Sequence, residues 1–207
     1  MIISHKHRYI FFAIPKTATH SIREALHQHS ADDDWEQQVL NGEQSIPIPE
    51  IAKIKHGHIS VKELAAVPNQ QQWEGYFRFG FVRNPFDRFV SICAFLNRQN
   101  PGFQANSLSW MKMALERPAF RQRILAIPQS TLLADTNTKL GLDFVGRYET
   151  LQSSLDAIFE QLNLPSVTLT LRNSSEHTHY REYYDDHLRH LVADFYHNDL
   201  KLFNYNF

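Results

Sequence analysis

Apolar residues along this chain follow two rhythms, and the points where one gives way to the other predict its elements. Residues 9–14, Tyr-Ile-Phe-Phe-Ala-Ile, are continuously apolar or aromatic, as a strand buried on both faces of a sheet would be. The period then changes, because Ile22, Ala25, Leu26 and His29 recur at helical spacing. A second strand-turn-helix unit follows the same plan. Residues 76–82 alternate with Phe77, Phe79 and Phe81 on one face, and Asn84-Pro85-Phe86-Asp87 then supplies an N-cap, a proline at the first helical position and an early acid.

Further along, Ser60-Val61-Lys62-Glu63 has the capping-box spacing of a helix start. Leu151, Leu155, Ile158, Phe159 and Leu162 form one apolar stripe, and Tyr184, Leu188, Leu191, Val192 and Phe195 form another. Residues 106–127 are also helical in pattern, with Pro118 dividing them. Strand-like segments at 143–148 and 167–171 complete the alternation, and 41–49 and 97–106 read as exposed loops. This order predicts an α/β fold, a mostly parallel central sheet flanked by helices, with ligands at the carboxyl ends of the strands.

Composition narrows the picture. With 207 residues and 43% hydrophobic content, one domain over 1–207 is expected. A net charge of −1 argues against a nucleic-acid partner, and the single cysteine, Cys93, excludes an internal disulfide. No run approaches the roughly 20 apolar residues of a membrane span. The opening Met1-Ile2-Ile3-Ser4-His5-Lys6 lacks the apolar centre of a secretory signal, so a cytoplasmic location is expected.

Three places could carry chemistry. Between the first strand and helix lies Pro15-Lys16-Thr17-Ala18-Thr19-His20-Ser21, where backbone N–H groups, hydroxyls and one ammonium converge as they would on an anion. An ordinary capped helix with a surface lysine would read the same way. Lys16-Thr17 matches the end of a Walker phosphate loop, but no glycine occurs between Met1 and Lys16, which disfavours an ordinary ATP or GTP site. Arg83 closes the second strand and Ser91 follows eight residues later. A guanidinium and a hydroxyl could grip a phosphate, or Arg83 could simply pair with Asp87. His56-Gly57-His58 puts two imidazoles on one side of an extended chain. They could serve as a general base or as an ordinary pair among 12 histidines. No third His or Cys stands at ligand spacing, so no metal is expected.

Taken together, IPKTATHSI resembles the 5′-phosphosulfate loop of sulfotransferases, and FVRNPFDRFVS resembles their 3′-phosphate motif with Arg83 and Ser91 in place. The KHGHIS segment, FVGRYETL and the tail LRNSSEH resemble carbohydrate sulfotransferases such as heparan sulfate 2-O-sulfotransferase. The resemblance implies a P-loop-like sulfotransferase fold and 3′-phosphoadenosine 5′-phosphosulfate as donor. By it, Lys16 stabilises the leaving phosphate, and Thr17, Ala18, Thr19, His20 and Ser21 hold the 5′-phosphosulfate. Arg83 and Ser91 would clamp the 3′-phosphate at the nucleotide's other end, with Ser174 touching the nucleotide and Arg172 facing an acidic acceptor. His58 would take the proton from an acceptor hydroxyl, on a glycan or a small molecule, with His56 assisting. Ala18 stands where the family commonly has glycine, and His20 where it usually has Ser or Thr. The alternatives are a nucleotide-binding module without turnover and a Mg²⁺-dependent phosphoryl transferase.

Overall fold

The computed structural model describes residues 1–38, 45–170 and 179–207. In chain order its elements are β1 (Ile2–Ser4), β2 (Tyr9–Phe12), α1 (Thr19–His27), β3 (Trp35–Glu36), α2 (Pro49–Ala52), α3 (Val61–Ala65), β4 (Phe77–Val82), α4 (Pro85–Leu96), α5 (Phe103–Glu116), α6 (Pro118–Arg121), α7 (Gln129–Leu133), β5 (Phe144–Arg147), α8 (Leu151–Gln161), α9 (Asp186–Phe195) and α10 (His197–Leu202). They group into two compact units, Met1–Val82 with Ser130–Arg172, and Arg83–Gln129 with Asn173–Phe207.

The first unit carries a five-stranded sheet in the order β3-β1-β2-β4-β5. β2, β4 and β5 run parallel, with Phe12 opposite Gly80 and Val82 opposite Arg147. β1 pairs antiparallel with both β2 and β3. The sheet is therefore mixed, and the expected mostly parallel sheet holds only for the three strands whose carboxyl ends lead into candidate segments. β1 forms because Ile2 and Ile3 are buried and a tight turn brings them against Phe11 and Ile10. A three-residue strand is too short to display a period.

On one face, Ile22, Ala25 and Leu26 of α1 and Leu155, Ile158 and Phe159 of α8 pack on Phe11, Phe79 and Phe81. Phe79 and Phe81 are both fully buried, and burial of each side chain contributes about 2 kcal/mol. The expected strand at 167–171 does not form within its described part. Gln152 takes the ladder's place there: its Oε1 accepts from the Leu169 N–H at 2.8 Å and its Nε2 donates to the Val167 carbonyl at 3.0 Å.

The second unit is helical. Phe89, Val90 and Cys93 of α4, Met111 and Leu115 of α5, Phe120 of α6 and Leu188 and Val192 of α9 form its core. Pro118 divides α5 from α6 as the sequence predicts, and the expected loop at 97–106 is shorter because α5 begins at Phe103. Among the described residues, no helix is long and apolar enough to cross a membrane.

Candidate active site

The β2–α1 turn is built from its own hydroxyls inward. Thr17 and Thr19 both donate to the Ile14 carbonyl, at 3.0 and 2.7 Å. Ser21 donates to the Thr170 carbonyl at 2.9 Å. A hydroxyl has one proton to give, so these three hold the turn in shape. An anion arriving here would meet main-chain N–H groups rather than O–H donors.

The backbone is arranged to supply them. Lys16 and Ala18 both lie in the left-handed region, at φ 68° and 61°, and left-handed residues at a turn curl successive N–H groups into an anion-binding concavity. Ala18 is the N-cap of α1 and provides no side-chain cap, and the helix's first turn contains no acid. The positive end of the helix is thus not offset by a carboxylate. Ala18, which stands where the loop it resembles commonly has glycine, is thus at a position where a side chain is strained. Lys16 is half-buried and His20 is exposed.

The His-Gly-His segment packs beside this turn. His58 Nδ1 contacts the Ala13 carbonyl oxygen at 2.8 Å, three residues before Lys16. The rings of His56 and His58 lie 6.2 Å apart, tilted by 35°. Desolvation pushes the His58 imidazole down to about 3, against the opposing effect of its bond to Ala13. Desolvation lowers His56 as well. Both rings are therefore neutral near pH 7.

Gly57 makes the approach possible, because a Cβ there would stand 2.4 Å from the Gln37 carbonyl oxygen. Gln37 is itself buried and fixed, donating to the Ile54 carbonyl at 3.0 Å and accepting from the Ile46 N–H at 3.0 Å. After the segment, the capping box of α3 forms as expected: Glu63 N–H donates to Ser60 Oγ at 3.2 Å, and Ser60 N–H donates to Glu63 Oε2 at 2.7 Å.

Arg83 and Ser91 belong to the second unit. Arg83 follows the end of β4, and Ser91 is buried within α4. Asn84 caps α4 by accepting from the Phe86 N–H at 3.0 Å, with Pro85 next to it. The Arg83 side chain is 6% exposed and its Nε donates to Asp87 Oδ2 at 2.7 Å. The pairing with Asp87 is present, and it holds the guanidinium over the first turn of α4. Arg83 is also held through its backbone by Gln129, which accepts from the Arg83 N–H at 2.9 Å and donates to the Arg83 carbonyl at 2.9 Å. Gln129 and Gln37 escape a reading of local pattern, since each acts on residues far along the chain. Ser174 and Arg172 lie outside the described residues. Among the described residues, no group of three or more His, Cys, Asp or Glu side chains gathers to hold a metal ion.

A family model described as "Sulfotransferase family" matches residues 1–206. An uncharacterised protein of Archaeoglobus fulgidus is 24% identical over 115 residues, which cover 53% of this chain and 87% of that protein. No solved structure gives a significant match.

Proposed function

The chain belongs to the sulfotransferase family, and from that premise we propose that it transfers a sulfuryl group from 3′-phosphoadenosine 5′-phosphosulfate to an acceptor hydroxyl on a carbohydrate, with residues 1–207 acting as one sulfotransferase domain. Membership makes it a transferase acting on a hydroxylated acceptor; the donor, the acceptor class and the residue roles are the proposal. The observation that carries it is the turn from β2 to α1. Two left-handed residues and an N-cap without a side-chain cap offer main-chain donors to an anion, and the desolvated His58 is anchored three residues before Lys16.

In this reading His58 Nε2 accepts the proton of the acceptor hydroxyl as its oxygen attacks sulfur in line. The bond between sulfur and the 5′-phosphate oxygen breaks, and 3′-phosphoadenosine 5′-phosphate leaves with its new charge met by Lys16. The main chain of Thr17, Ala18, Thr19, His20 and Ser21 holds the 5′-phosphosulfate. Arg83 and Ser91 take the 3′-phosphate, Ser174 touches the nucleotide, and Arg172 faces the acceptor. His56 orients or assists His58.

Calorimetry with 3′-phosphoadenosine 5′-phosphate against AMP tests the donor assignment. Tighter binding of the 3′-phosphorylated nucleotide is expected, and Arg83→Ala should remove the difference. Equal affinities for the two nucleotides in the wild-type protein would sink the reading.

A further inference from the structure

Arg83, assigned the 3′-phosphate above, stands where the chain leaves β4, one residue past the Val82–Arg147 pair of its ladder. Gln129 bonds its backbone there. Its amide bonds both the N–H and the carbonyl of Arg83, each at 2.9 Å, as a strand residue would. Both residues are deeply buried.

A glutamine amide can make this pair of bonds in one orientation only, with oxygen toward the N–H and nitrogen toward the carbonyl. Asp199 sets that orientation. Its Oδ2 accepts from the Gln129 main-chain N–H at 2.8 Å and from Gln129 Nε2 at 3.3 Å. A carboxylate accepts only, so the amide's nitrogen end must face it. Asp199 is fully buried on α10. Its charge is balanced within the same unit by Arg88, also fully buried, which donates to the Ile127 and Leu125 carbonyls at 3.1 and 3.0 Å. Tyr196, the N-cap of Asp199's helix, donates to the Ala126 carbonyl at 2.7 Å. Residues 125–129 are thus laced from several sides, and Gln129 emerges from them at a fixed place.

We propose that Gln129 and Asp199 are positioning residues for Arg83, forming a relay from a buried carboxylate through an amide to the Arg83 backbone, and that this relay sets selectivity for the nucleotide's 3′-phosphate. The inference rests on the donor reading above. The backbone of Arg83 is fixed by Gln129 and its guanidinium by Asp87, so the two together define where the planar group stands. Loss of the amide's orientation frees one of these two anchors. Bidentate recognition of a phosphate depends on such placement.

The test compares wild-type protein, Asp199→Asn and Gln129→Met by calorimetry with 3′-phosphoadenosine 5′-phosphate and with AMP. Each variant is expected to bind the 3′-phosphorylated nucleotide about tenfold more weakly, the equivalent of one hydrogen bond to a charged group, with AMP affinity unchanged. A merely structural role would lower both affinities together, and that outcome, or an unchanged ratio, overturns the proposal. Absence of any 3′-phosphate preference in the wild-type protein is a separate result, which removes the donor reading and this inference with it. Should the variants fail to fold, amide hydrogen exchange in the wild-type protein decides. The Arg83 amide should be as slow as the core amides of α4, and rapid exchange there overturns the relay.

Discussion

The 2.8 Å contact between His58 Nδ1 and the Ala13 carbonyl oxygen fixes the state of that imidazole. A carbonyl only accepts, so Nδ1 carries the proton and the lone pair is left on Nε2. The same contact ties the histidine to the strand end from which the Lys16 turn springs. Of the two histidines, His58 is therefore the one with a defined accepting nitrogen beside that turn, the reason it rather than His56 is assigned the proton in the proposed reaction.

That anchoring has a consequence for stability. With its imidazole pushed from the ordinary 6.5 down to about 3, His58 stays neutral in the folded chain while the unfolded chain takes up a proton as pH falls through 6.5. The unfolded state binds more protons between those values, so stability is complete above pH 6.5 and declines toward pH 3. The protein should be about 2 kcal/mol less stable at pH 5 than at pH 7 on this account. Urea unfolding at pH 5, 6 and 7 measures it. His58→Asn keeps a donor for Ala13 and cannot titrate, so its slope should be shallower by that amount. Identical slopes in the two proteins would remove His58 as the cause.

Gly57 is required by the close approach of the Gln37 main chain. A methyl group at this position would meet that carbonyl oxygen at 2.4 Å, and Gln37 cannot retreat easily because its side chain is bound at both ends. Gly57→Ala is expected to cost about 2 kcal/mol, as overpacking of a filled site does. A shift in the urea midpoint reads the cost directly. A variant as stable as wild type would mean that the segment yields without strain.

Much of this arrangement is legible in the sequence, for physical reasons that differ from place to place. The capping box at Ser60 and Glu63 and the Asn84-Pro85 start of α4 are readable because each is a local exchange of hydrogen bonds within four residues. The stripes of α8 and α9 are readable because burial against a core imposes a period. β1 and β3 are not, since three and two residues carry no period, and without them the sheet looks more parallel than it is. The segment Val167–Thr170 has strand-like composition, yet Gln152 and Ser21 satisfy its backbone from outside any sheet. Gln129 and Asp199 carry no local mark at all: one lies 46 residues beyond Arg83 and the other 70 beyond that. The bond between Arg83 and Asp87 is readable as an i, i+4 pair, but the backbone clamp that completes it is not.

Ala18 departs from the glycine common in its family at a position with φ 61°. A side chain in the left-handed region costs about 1 kcal/mol or more, partly offset because glycine loses more freedom on folding. Ala18→Gly should therefore stabilise the protein by up to about 1 kcal/mol, seen as a higher Tm, without weakening nucleotide binding. Ala18→Val should do the reverse, because a branched side chain fits that region worse. A lower Tm for the glycine variant would mean that the turn draws net stability from the alanine methyl.

In the proposed reaction His58 and Lys16 act on different atoms, so they should separate from one another in kinetics. Removal of a positioned base costs about 10² to 10⁴ in rate, so His58→Ala should lower transfer from radiolabelled donor by that much and leave affinity for 3′-phosphoadenosine 5′-phosphate near the wild-type value. In the proposed reaction Lys16 meets charge that develops on the leaving phosphate, so Lys16→Ala should lower kcat by about 10² to 10³ and also weaken binding of the product nucleotide, which bears that charge in its ground state. A panel of glycans and small alcohols supplies the acceptors, and EDTA in every assay separates sulfuryl transfer from a phosphoryl transfer that needs Mg²⁺. Wild-type turnover in His58→Ala would move the proton to another acceptor, with His56 the next to test. Loss of nucleotide binding in that variant would instead make the histidine a support for the turn, since the bond it gives to Ala13 ties it to the strand end three residues before Lys16.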